Sequence, residues 1–431
     1  MSQSAALNEV SLFGASPDTG NRGVTALCHA VIWHLFERQV ARTNLFDHGR
    51  GERLVQIPFG PQTLPVYQIG GILSRRYYRS ENLWNIRVSN WLGGLGNPAA
   101  KAVRRSQLVL DVSAGDSFTD LYGPKRFQTI MFHKWIVREA GRPLILLPQT
   151  YGPFQQPASF QAARDVLNYA RQAWARDADS FAALRELAGD SFDPARHRQG
   201  VDLAFALPPF PPAHVPPELA AWLAPAERPQ ETLVGFNISG LIFNQPEPAK
   251  RQFKLQADYP ALVREFLEWI LKTTELRIVL VAHVIAPEGN VESDLDAARA
   301  FHASLPEHWR ARVQITPPDW SPSELKWLIG QTTWFCGTRM HSTIGALGTE
   351  TPAAAVSYSL KTRGVFATCG QAHAVFELRH SSTADIVDAL KNSFQSRDAT
   401  RRALAQDVPA VRLRAKSQLD EMLATVQSAT S

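Results

Sequence analysis

The amino-acid sequence predicts an α/β protein with two facing Rossmann-like domains and a C-terminal helix. The chain has 431 residues, and a single hydrophobic core rarely extends over so long a chain, so two domains are expected. Short apolar runs alternate with segments of helical periodicity, as in the βα units of parallel sheets, and this series occurs twice. A proline-rich segment separates the two series.

The first series predicts an N-terminal domain over residues 8–207. Its apolar runs have the length of strands, and the stretches between them place apolar residues on one helical face. The predicted strands are Val10–Ala15, Leu54–Pro58, Leu108–Val112 and Leu144–Leu147. The predicted helices are Val24–Gln39, Phe127–Ala140 and Phe160–Arg171.

The proline-rich segment predicts a linker over residues 208–231. Eight of the chain's 29 prolines lie between Leu207 and Gln230, and proline removes a backbone donor and disfavours helix in the residue before it. The second series predicts a C-terminal domain over residues 232–380, and residues 381–431 are predicted to be mostly helical. The predicted strands of this domain are Thr232–Ile238, Leu276–His283, Val313–Thr316 and Trp334–Cys336. The predicted helices are Tyr259–Lys272, Asp294–Ser304 and Ser323–Gly330.

The composition argues against several classes of protein. The net charge is +5 and the basic residues are scattered without a run of five, which argues against a nucleic-acid-binding surface. Three widely spaced cysteines without a Cys-x-x-Cys pair indicate a reducing cytoplasm and offer no zinc site. The N-terminus lacks the features of a secretory signal, and the longest apolar stretch is shorter than the ~20 residues of a membrane span. We therefore expect a cytoplasmic protein with at most peripheral membrane contact.

The densest polar cluster in an apolar setting is Thr338–Thr343, between a predicted strand end and a predicted helix start. Backbone N–H groups and the helix dipole favour a phosphate or carboxylate at such a place, and Arg339 adds a bidentate donor. His341 can exchange a proton near neutral pH. The alternative is that Ser342 and Thr343 cap the helix while His341 binds a carbonyl group.

Further candidate ligands follow other strands of the C-terminal series. Ser359 and Lys361 come after the apolar run of residues 353–356, and they would lie beside the first cluster if the strands pair in order. They form a second predicted set of anion donors, for which a solvated loop is the alternative. His283 ends another apolar strand, where it is either a buried core histidine or a ligand-binding residue.

Polar side chains also follow the predicted strands of the N-terminal domain. Asp116 and Asp120 lie in a glycine-containing loop, where each is a candidate general base or acceptor for sugar hydroxyls, with helix capping as the alternative. Gln149 follows the fourth predicted strand and Asn21 follows the first. Arg176 is a candidate second clamp for a doubly charged donor. The neighbouring Asp-x-Asp pattern is common and fits a helix cap better than a metal site.

Taken in order, these segments resemble the polysaccharide pyruvyl transferase family, and within it the branch that acts on bacterial exopolysaccharides such as colanic acid. The resemblance spans about residues 12–366. The matching stretches are Gly20-Asn-Arg-Gly, Gly115-Asp-Ser-Phe-Thr-Asp, Leu147-Pro-Gln-Thr-Tyr-Gly-Pro-Phe, Ala175-Arg-Asp, Val234-Gly-Phe-Asn-Ile-Ser-Gly, Gly337-Thr-Arg-Met-His-Ser-Thr-Ile and Ser357-Tyr-Ser-Leu-Lys.

The resemblance implies a GT-B-like fold, neither metal nor cofactor, and transfer of pyruvate from phosphoenolpyruvate to a sugar diol as a cyclic ketal. The acceptor would be a saccharide, free or lipid-linked, and a lipid-linked acceptor would place the enzyme at the inner face of the membrane. The family signature, usually Arg-Leu-His, maps onto Arg339 and His341, with Met340 replacing a leucine of similar volume. His341 is then the predicted acid, and Asp116 a candidate base. The predicted substrate-binding residues are Arg339, Arg176, Ser342, Thr343, Ser359, Lys361, Asn21, Gln149, Asp120, His283 and Asn237.

Two other functions are compatible with the same fold. A glycosyltransferase or sugar-nucleotide enzyme would bind a nucleotide sugar in the C-terminal half, since a fold does not determine a function. A non-catalytic protein would instead be a scaffold for polysaccharide assembly. Binding of phosphoenolpyruvate separates the three, because only the pyruvyl transferase is expected to bind it tightly.

Overall fold

The computed structural model describes residues 7–223, 232–359 and 361–427. Residues 224–231 of the predicted linker and residues 428–431 of the predicted helical segment lie outside this described part. Within it the predicted α/β class is confirmed, because two Rossmann-like domains with parallel sheets are followed by a long C-terminal helix. None of the described helices is both long and apolar enough to cross a membrane.

The first domain contains an eight-stranded sheet in the described residues. Its strands are β1 Glu9–Phe13, β2 Arg42–Asp47, β3 Glu52–Phe59, β4 Gln62–Gly70, β5 Leu108–Asp111, β6 Leu144–Gln149, β7 Gln172–Ala175 and β8 His197–Gln199. Their order in the sheet is β3-β4-β2-β1-β5-β6-β7-β8. The sheet is parallel except for β3 and β4, which form an antiparallel hairpin at one edge. The apolar runs predicted only the first strand of this hairpin, in which exposed residues alternate with half-buried or buried ones.

The helices of the first series pack mainly through alanine, leucine, valine and isoleucine. Several begin at a proline in the first turn, where its missing N–H has no helical partner. Their bounds are α1 Arg22–Glu37, α2 Leu83–Trp91, α3 Pro98–Arg105, α4 Pro124–Glu139, α5 Pro157–Tyr169 and α6 Ala178–Ala188. Helix α7, Pro217–Leu223, follows within the predicted linker.

The second domain contains a six-stranded parallel sheet in the described residues, in the order β11-β10-β9-β12-β13-β14. These strands are β9 Leu233–Asn237, β10 Arg277–Leu280, β11 Val313–Ile315, β12 Trp334–Gly337, β13 Ala353–Ser357 and β14 Val375–Glu377. Strands β9, β12 and β13 are buried along their whole length, which explains their continuous apolar sequences.

Helices cover the second sheet and continue to the end of the described chain. Asp258 and Ser293 each accept a backbone hydrogen bond at the start of the helix that follows, and this fixes where α10 and α11 begin. The helices are α8 Gly240–Phe243, α9 Pro246–Phe253, α10 Tyr259–Thr273, α11 Asp294–Ala303, α12 Glu307–Arg310, α13 Pro322–Ile329, α14 Met340–Gly348, α15 Lys361–Ala367, α16 Thr383–Gln395 and α17 Arg397–Gln427.

The described residues divide into two compact units. The N-terminal unit contains residues 7–19, 27–207 and 413–427, and the C-terminal unit contains residues 20–26 and the described residues of 208–412. The predicted domain boundary after Leu207 therefore describes the two units only in part, because each unit also contains a segment from the other side of that boundary. The first residues of α1 belong with the C-terminal unit, and the last turns of α17 belong with the N-terminal unit.

Each sheet has a position where the order of the strands along the chain reverses. In the N-terminal unit this position lies between β1 and β5, and in the C-terminal unit it lies between β9 and β12. Ligands of open α/β sheets bind beyond the carboxyl ends of the strands at such positions. Gly14 follows β1 with a φ of +72°, and a Cβ there would lie 2.5 Å from the Ser113 nitrogen, so the two loops approach too closely for a side chain.

The end of α17 is joined to the N-terminal unit by a buried amide, which makes a stability test possible. The Gln418 side chain accepts from the Val201 N–H at 3.0 Å and donates to the Val201 carbonyl at 2.9 Å. Gln418→Leu leaves both buried backbone groups without this partner, so we expect a loss of about 1–3 kcal/mol in stability. Urea unfolding followed by circular dichroism measures it.

The matched control is Gln406→Leu, which changes an exposed residue of the same helix. We expect its unfolding midpoint to stay within the error of the wild-type value. Equal midpoints for the two variants would show that the Val201 contacts contribute nothing.

Candidate functional site

The reversal position of the C-terminal sheet is organised by Asn237, the last residue of β9. Its Oδ1 accepts from the backbone N–H groups of Thr338 at 3.3 Å and Arg339 at 2.9 Å. Its Nδ2 donates to the Val281 carbonyl at 2.9 Å and to Asp294 at 3.2 Å. Asn237 was predicted to bind substrate, but it is fully buried and its amide joins three chain segments. Its observed role is to position the loop that carries Arg339.

Asp294 is the buried carboxylate that orients Arg339. Its oxygens accept from Nε of Arg339 at 3.1 Å and from Nη2 at 2.9 Å, and they also accept from the N–H groups of Gly240 and Val284 at 2.9 Å. Burial disfavours the charged guanidinium, but Asp294, together with Tyr358 and Glu292, outweighs this effect and raises the pKa of Arg339. Removing one member of a buried ion pair costs about 3–5 kcal/mol, so the arginine depends on this partner.

The segment after β12 has the strand–turn–helix form that was predicted, and α14 begins at Met340. The Ser342 hydroxyl donates to the Arg339 carbonyl at 2.6 Å, and the Thr343 hydroxyl donates to the Met340 carbonyl at 2.7 Å. Both side chains are buried. The hydroxyl groups were predicted to contact a ligand, whereas the structure shows them bonded to the helix backbone, so the alternative of a local structural role describes them better.

The first residues of α1 lie against the histidines of the C-terminal unit. The Arg22 N–H donates to the His283 carbonyl at 2.9 Å, and the Ile285 N–H donates to the Gly20 carbonyl at 2.9 Å. A Cβ at Gly23 would lie 2.4 Å from Nδ1 of His341, so the imidazole occupies the place where a side chain would be. Gly20–Gly23 therefore forms one wall of the site.

Three basic side chains act on His283 at this place, and we call Arg22, His283, Arg339 and His341 the cationic cluster. His283 is buried, and burial is the main reason why its pKa lies well below the usual value, with His341, Arg339 and Arg22 lowering it further. The ring is therefore neutral near pH 7. Burial also lowers the pKa of Arg22, whereas Asp319 and Glu324 oppose that effect. Two guanidinium groups and two imidazoles at one place offer several N–H donors, which suit a small polyanion.

Other residues surround the cluster in the same unit. Asn21, a predicted ligand, accepts from the Gly23 N–H at 2.9 Å and so caps α1. Ser359 and Lys361 lie at the carboxyl end of β13, which pairs with β12, so the sheet places them at the same edge as Arg339. Ser239 follows β9, and its buried Oγ makes no hydrogen bond within the described part of the chain.

The N-terminal unit has a separate polar cluster after β1, β2 and β5. Nδ1 of His48 lies 2.9 Å from Asp18, and this hydrogen bond raises the pKa of the imidazole against the effect of burial. Burial raises the pKa of Asp18, but hydrogen bonds from His48 and Ser16 outweigh it and lower the pKa to about 2. Asp116, the predicted base, accepts from the Tyr122 hydroxyl at 2.9 Å. These groups can bind hydroxyls, and His48 and Asp18 were not predicted.

The other predicted residues of this unit have structural partners. Asp120 accepts from the N–H groups of Gln155 and Gln156 at 2.8–3.0 Å, so its carboxylate caps the loop before α5. Gln149 is fully buried at the end of β6. Arg176 is also fully buried, with Asp177 and Asp202 each 3.6 Å from its guanidinium. Arg176 and Arg339 therefore belong to different units, and the predicted pair of donor clamps is not assembled within either one.

A buried ion pair and a neutral histidine lie below the N-terminal cluster. Nζ of Lys134 lies 2.8 Å from Asp111 and 2.9 Å from the Ser113 hydroxyl. The neighbouring His133 ring lies 4.9 Å from Phe13, and burial lowers its pKa to about 4. No group of three or more potential metal-binding side chains is present among the described residues.

The fold defines the class of protein. The chain resembles a putative UDP-N-acetylglucosamine 2-epimerase from Listeria monocytogenes, with 13% identity, a TM-score of 0.58, and coverage of 99% of this chain and 97% of that one. It resembles the UDP-GlcNAc 2-epimerase from Neisseria meningitidis bound to UDP-GlcNAc, with 12% identity, a TM-score of 0.55, and coverage of 97% and 100%. A trehalose-phosphate synthase from Burkholderia xenovorans in complex with glucose-6-phosphate gives 12% identity, a TM-score of 0.54, and coverage of 98% and 100%. The fold is thus that of GT-B glycosyltransferases and related epimerases.

The family follows from the sequence match. A family model for polysaccharide pyruvyl transferases matches residues 26–359. The chain belongs to the polysaccharide pyruvyl transferase family, as its motifs predicted, and it is a transferase with a saccharide acceptor.

The contact between Gly23 and His341 can be tested by a single methyl group. Gly23→Ala should move the imidazole, because the new Cβ would lie 2.4 Å from its Nδ1. Alanine also favours helix over glycine by about 1 kcal/mol, which offsets part of the cost of this steric contact. We expect at least a tenfold loss of turnover with little change in thermal stability. In Gly345→Ala, the matched control, the nearest atom lies at an ordinary 3.4 Å, and wild-type turnover is expected. Wild-type turnover in both variants would contradict the proposed wall.

The neutral state of His133 predicts an acid-sensitive N-terminal unit. An unfolded histidine titrates near pH 6.5, whereas the folded ring titrates at about 4. Between these values the unfolded state binds more protons, so the free energy of unfolding falls as the pH falls. The slope of the unfolding free energy against pH is proportional to the number of protons taken up on unfolding. We expect His133→Phe to reduce that number by up to one, so the decrease becomes less steep. Unfolding by urea from pH 7 to 4 measures the slope, and His308→Phe, an exposed control, should keep the wild-type slope.

Proposed function

We propose that the protein transfers pyruvate from phosphoenolpyruvate to a sugar diol, releasing phosphate and forming a cyclic ketal on an exopolysaccharide or its precursor. Membership of the family supports the transfer of pyruvate. The observation that supports an anionic donor is the cationic cluster, in which two arginines and a histidine add to the effect of burial on His283. A donor with both a carboxylate and a phosphate requires several such groups.

Arg339 is well placed to bind the donor in one orientation. Its Nε and Nη2 donate to Asp294, and Nη2 also donates to the Glu292 carbonyl at 3.0 Å. The guanidinium is therefore oriented before a ligand arrives, and the Nη1 side is proposed to meet the phosphate or carboxylate. The first N–H groups of α14 would add donors, because the start of a helix favours negative charge.

His341 is the proposed acid. A proton goes from its imidazolium to the methylene carbon of phosphoenolpyruvate, which becomes a methyl group and leaves cationic character at the neighbouring carbon. A sugar hydroxyl attacks that carbon and loses its proton. The bond between the carbon and the phosphate oxygen then breaks, and the second hydroxyl closes the ketal ring. The two hydroxyl protons restore the imidazolium and protonate the phosphate, so the atoms and charges balance.

The N-terminal cluster is proposed to bind the acceptor saccharide. Asp116, Asp18 and His48 offer carboxylate and imidazole groups, which exchange hydrogen bonds with sugar hydroxyls. Asp116 remains the proposed acceptor of a hydroxyl proton. We further propose that no metal or organic cofactor is needed, because the cationic cluster supplies the positive charge that phosphate departure requires.

A sugar-nucleotide enzyme is the second candidate. The observation that favours it is the shared fold with epimerases and a synthase whose names or bound ligands include a nucleotide sugar or a sugar phosphate. At 12–13% identity these structures support the fold alone. The family match covers most of the chain, so pyruvyl transfer is the function that we favour.

Calorimetry and phosphate release test the proposal together. We expect phosphoenolpyruvate to bind the wild-type protein, and phosphate to be released with galactose-, glucose- or mannose-containing acceptors even with a chelator present. Arg339→Gln should weaken donor binding at least tenfold, since a charged hydrogen bond contributes about 1.5–3 kcal/mol. His341→Ala should lower turnover at least a hundredfold. Arg264→Gln, which changes an exposed arginine of the same unit, is the control.

The opposite results would contradict the proposal in separate ways. Tight binding of a UDP-sugar without binding of phosphoenolpyruvate would support the sugar-nucleotide enzyme. Near wild-type turnover in His341→Ala would refute its role as the acid while leaving the donor assignment intact.

A further inference from the structure

A surface of the N-terminal unit exposes an unusual number of large apolar side chains. Among the described residues, twelve large hydrophobic side chains are exposed, and seven of them lie between residues 77 and 95. They are Tyr77, Tyr78, Trp84, Val88, Trp91, Leu92 and Leu95. Single exposed apolar residues are common, but seven within one short segment indicate a surface that contacts something other than water.

Helix α2 explains why these residues are grouped. Trp84, Val88 and Trp91 are spaced by four and three positions, so they lie on one helical face, and all three are exposed. The opposite face buries Leu83 and Ile86 in the domain core. A surface helix normally turns polar residues to the solvent. Here the solvent-facing side is apolar, so the packing of the domain does not account for it.

The loop before α2 has a defined conformation. The Asn82 side chain accepts from the Trp84 N–H at 3.1 Å and donates to the Ser74 carbonyl at 2.8 Å. The Asn85 side chain donates to the Arg79 carbonyl at 2.7 Å. These bonds fix the loop on the helix, so Tyr77 and Tyr78, which are 62% and 82% exposed, stand on an ordered support.

Positive charge surrounds the apolar face. Residues 75–105 contain six arginines and one lysine, against a single acidic residue, Glu81. The net charge of this segment, +6, exceeds that of the whole chain, +5. Arg87 and Arg105 are paired with Glu139 and Glu9, whereas the exposed Arg75, Arg76 and Lys101 make no ion pair within the described residues. We call residues 75–105 the aromatic–basic patch.

We propose that the aromatic–basic patch binds the surface of an anionic phospholipid bilayer. Tyrosine and tryptophan favour the boundary between headgroups and acyl chains, because their rings have an apolar body and a polar tip. Each arginine or lysine near a negative membrane surface adds about 1 kcal/mol. Helix α2 presents Trp84, Val88 and Trp91 on one exposed face, as does a helix that lies in the plane of the interface with its apolar face toward the acyl chains.

The charge decides against a second copy of the chain as the partner. Pairing of this surface with itself would bring two strongly positive segments together, and like charges at an interface repel. A bilayer with anionic headgroups supplies both an apolar phase and negative charge. The proposal does not depend on the pyruvyl transfer reaction, because it concerns the binding of lipid and not of donor or acceptor.

Co-sedimentation with lipid vesicles tests the proposal. The full chain is mixed with vesicles of phosphatidylcholine alone or of phosphatidylcholine and phosphatidylglycerol in equal parts. We expect binding to the anionic vesicles only, decreasing as salt is added. Arg75→Gln with Arg76→Gln should weaken binding about fivefold for each residue. Tyr78→Ala with Trp91→Ala should weaken it at least tenfold at constant charge.

Matched controls change the same residue types elsewhere. Leu413→Ala removes a large side chain that is 69% exposed, and Arg264→Gln removes an exposed arginine; both should bind vesicles as the wild type does. Turnover of a soluble acceptor should be unchanged in the patch variants, so a failure here is distinct from a failure of the proposed activity. Absence of wild-type binding, or equal binding by the patch variants, would overturn the proposal, as would a wild-type dimer that Trp91→Ala dissociates.

Discussion

The C-terminal site depends on the buried ion pair between Asp294 and Arg339. Asp294 accepts two bonds from the guanidinium and further bonds from the backbone around β9 and β10. A buried carboxylate needs such a set of donors, because an unpaired buried charge is costly. One interaction therefore orients the arginine and also joins the ends of β9, β10 and β12. Asn237 completes this arrangement through the N–H groups that precede the arginine side chain.

The two units carry different kinds of charged side chain at the carboxyl ends of their strands. In the C-terminal unit, two arginines and two imidazoles gather at one place around His283, which suits an anionic donor. In the N-terminal unit, carboxylates and an imidazole follow the strands, which suits the neutral hydroxyls of a saccharide. The division agrees with a transferase that must bind two chemically different substrates. The third charged surface, the aromatic–basic patch, differs from both because exposed aromatic side chains accompany its arginines.

Several polar residues that were predicted to bind substrate instead form hydrogen bonds that stabilise the local backbone. Ser342 and Thr343 donate to backbone carbonyls, Asp120 caps the loop before α5, and Asn21 caps α1. Short polar side chains at strand ends satisfy backbone groups as readily as they bind ligands. Burial and hydrogen-bond partners separate the two uses, and neither can be deduced from residue type.

Local patterns in the amino-acid sequence were sufficient to predict the α/β class, the doubled series of strands and helices, and the turn that presents Arg339 and His341 before α14. These features follow from apolar periodicity and turn residues, which act over a few positions. The folded chain was needed to identify Asp294 as the partner of Arg339 and to place Gly23 against His341. The residues of the first pair are 45 positions apart along the chain, and Gly23 and His341 are 318 positions apart. Such contacts are set by strand order, which local patterns do not encode.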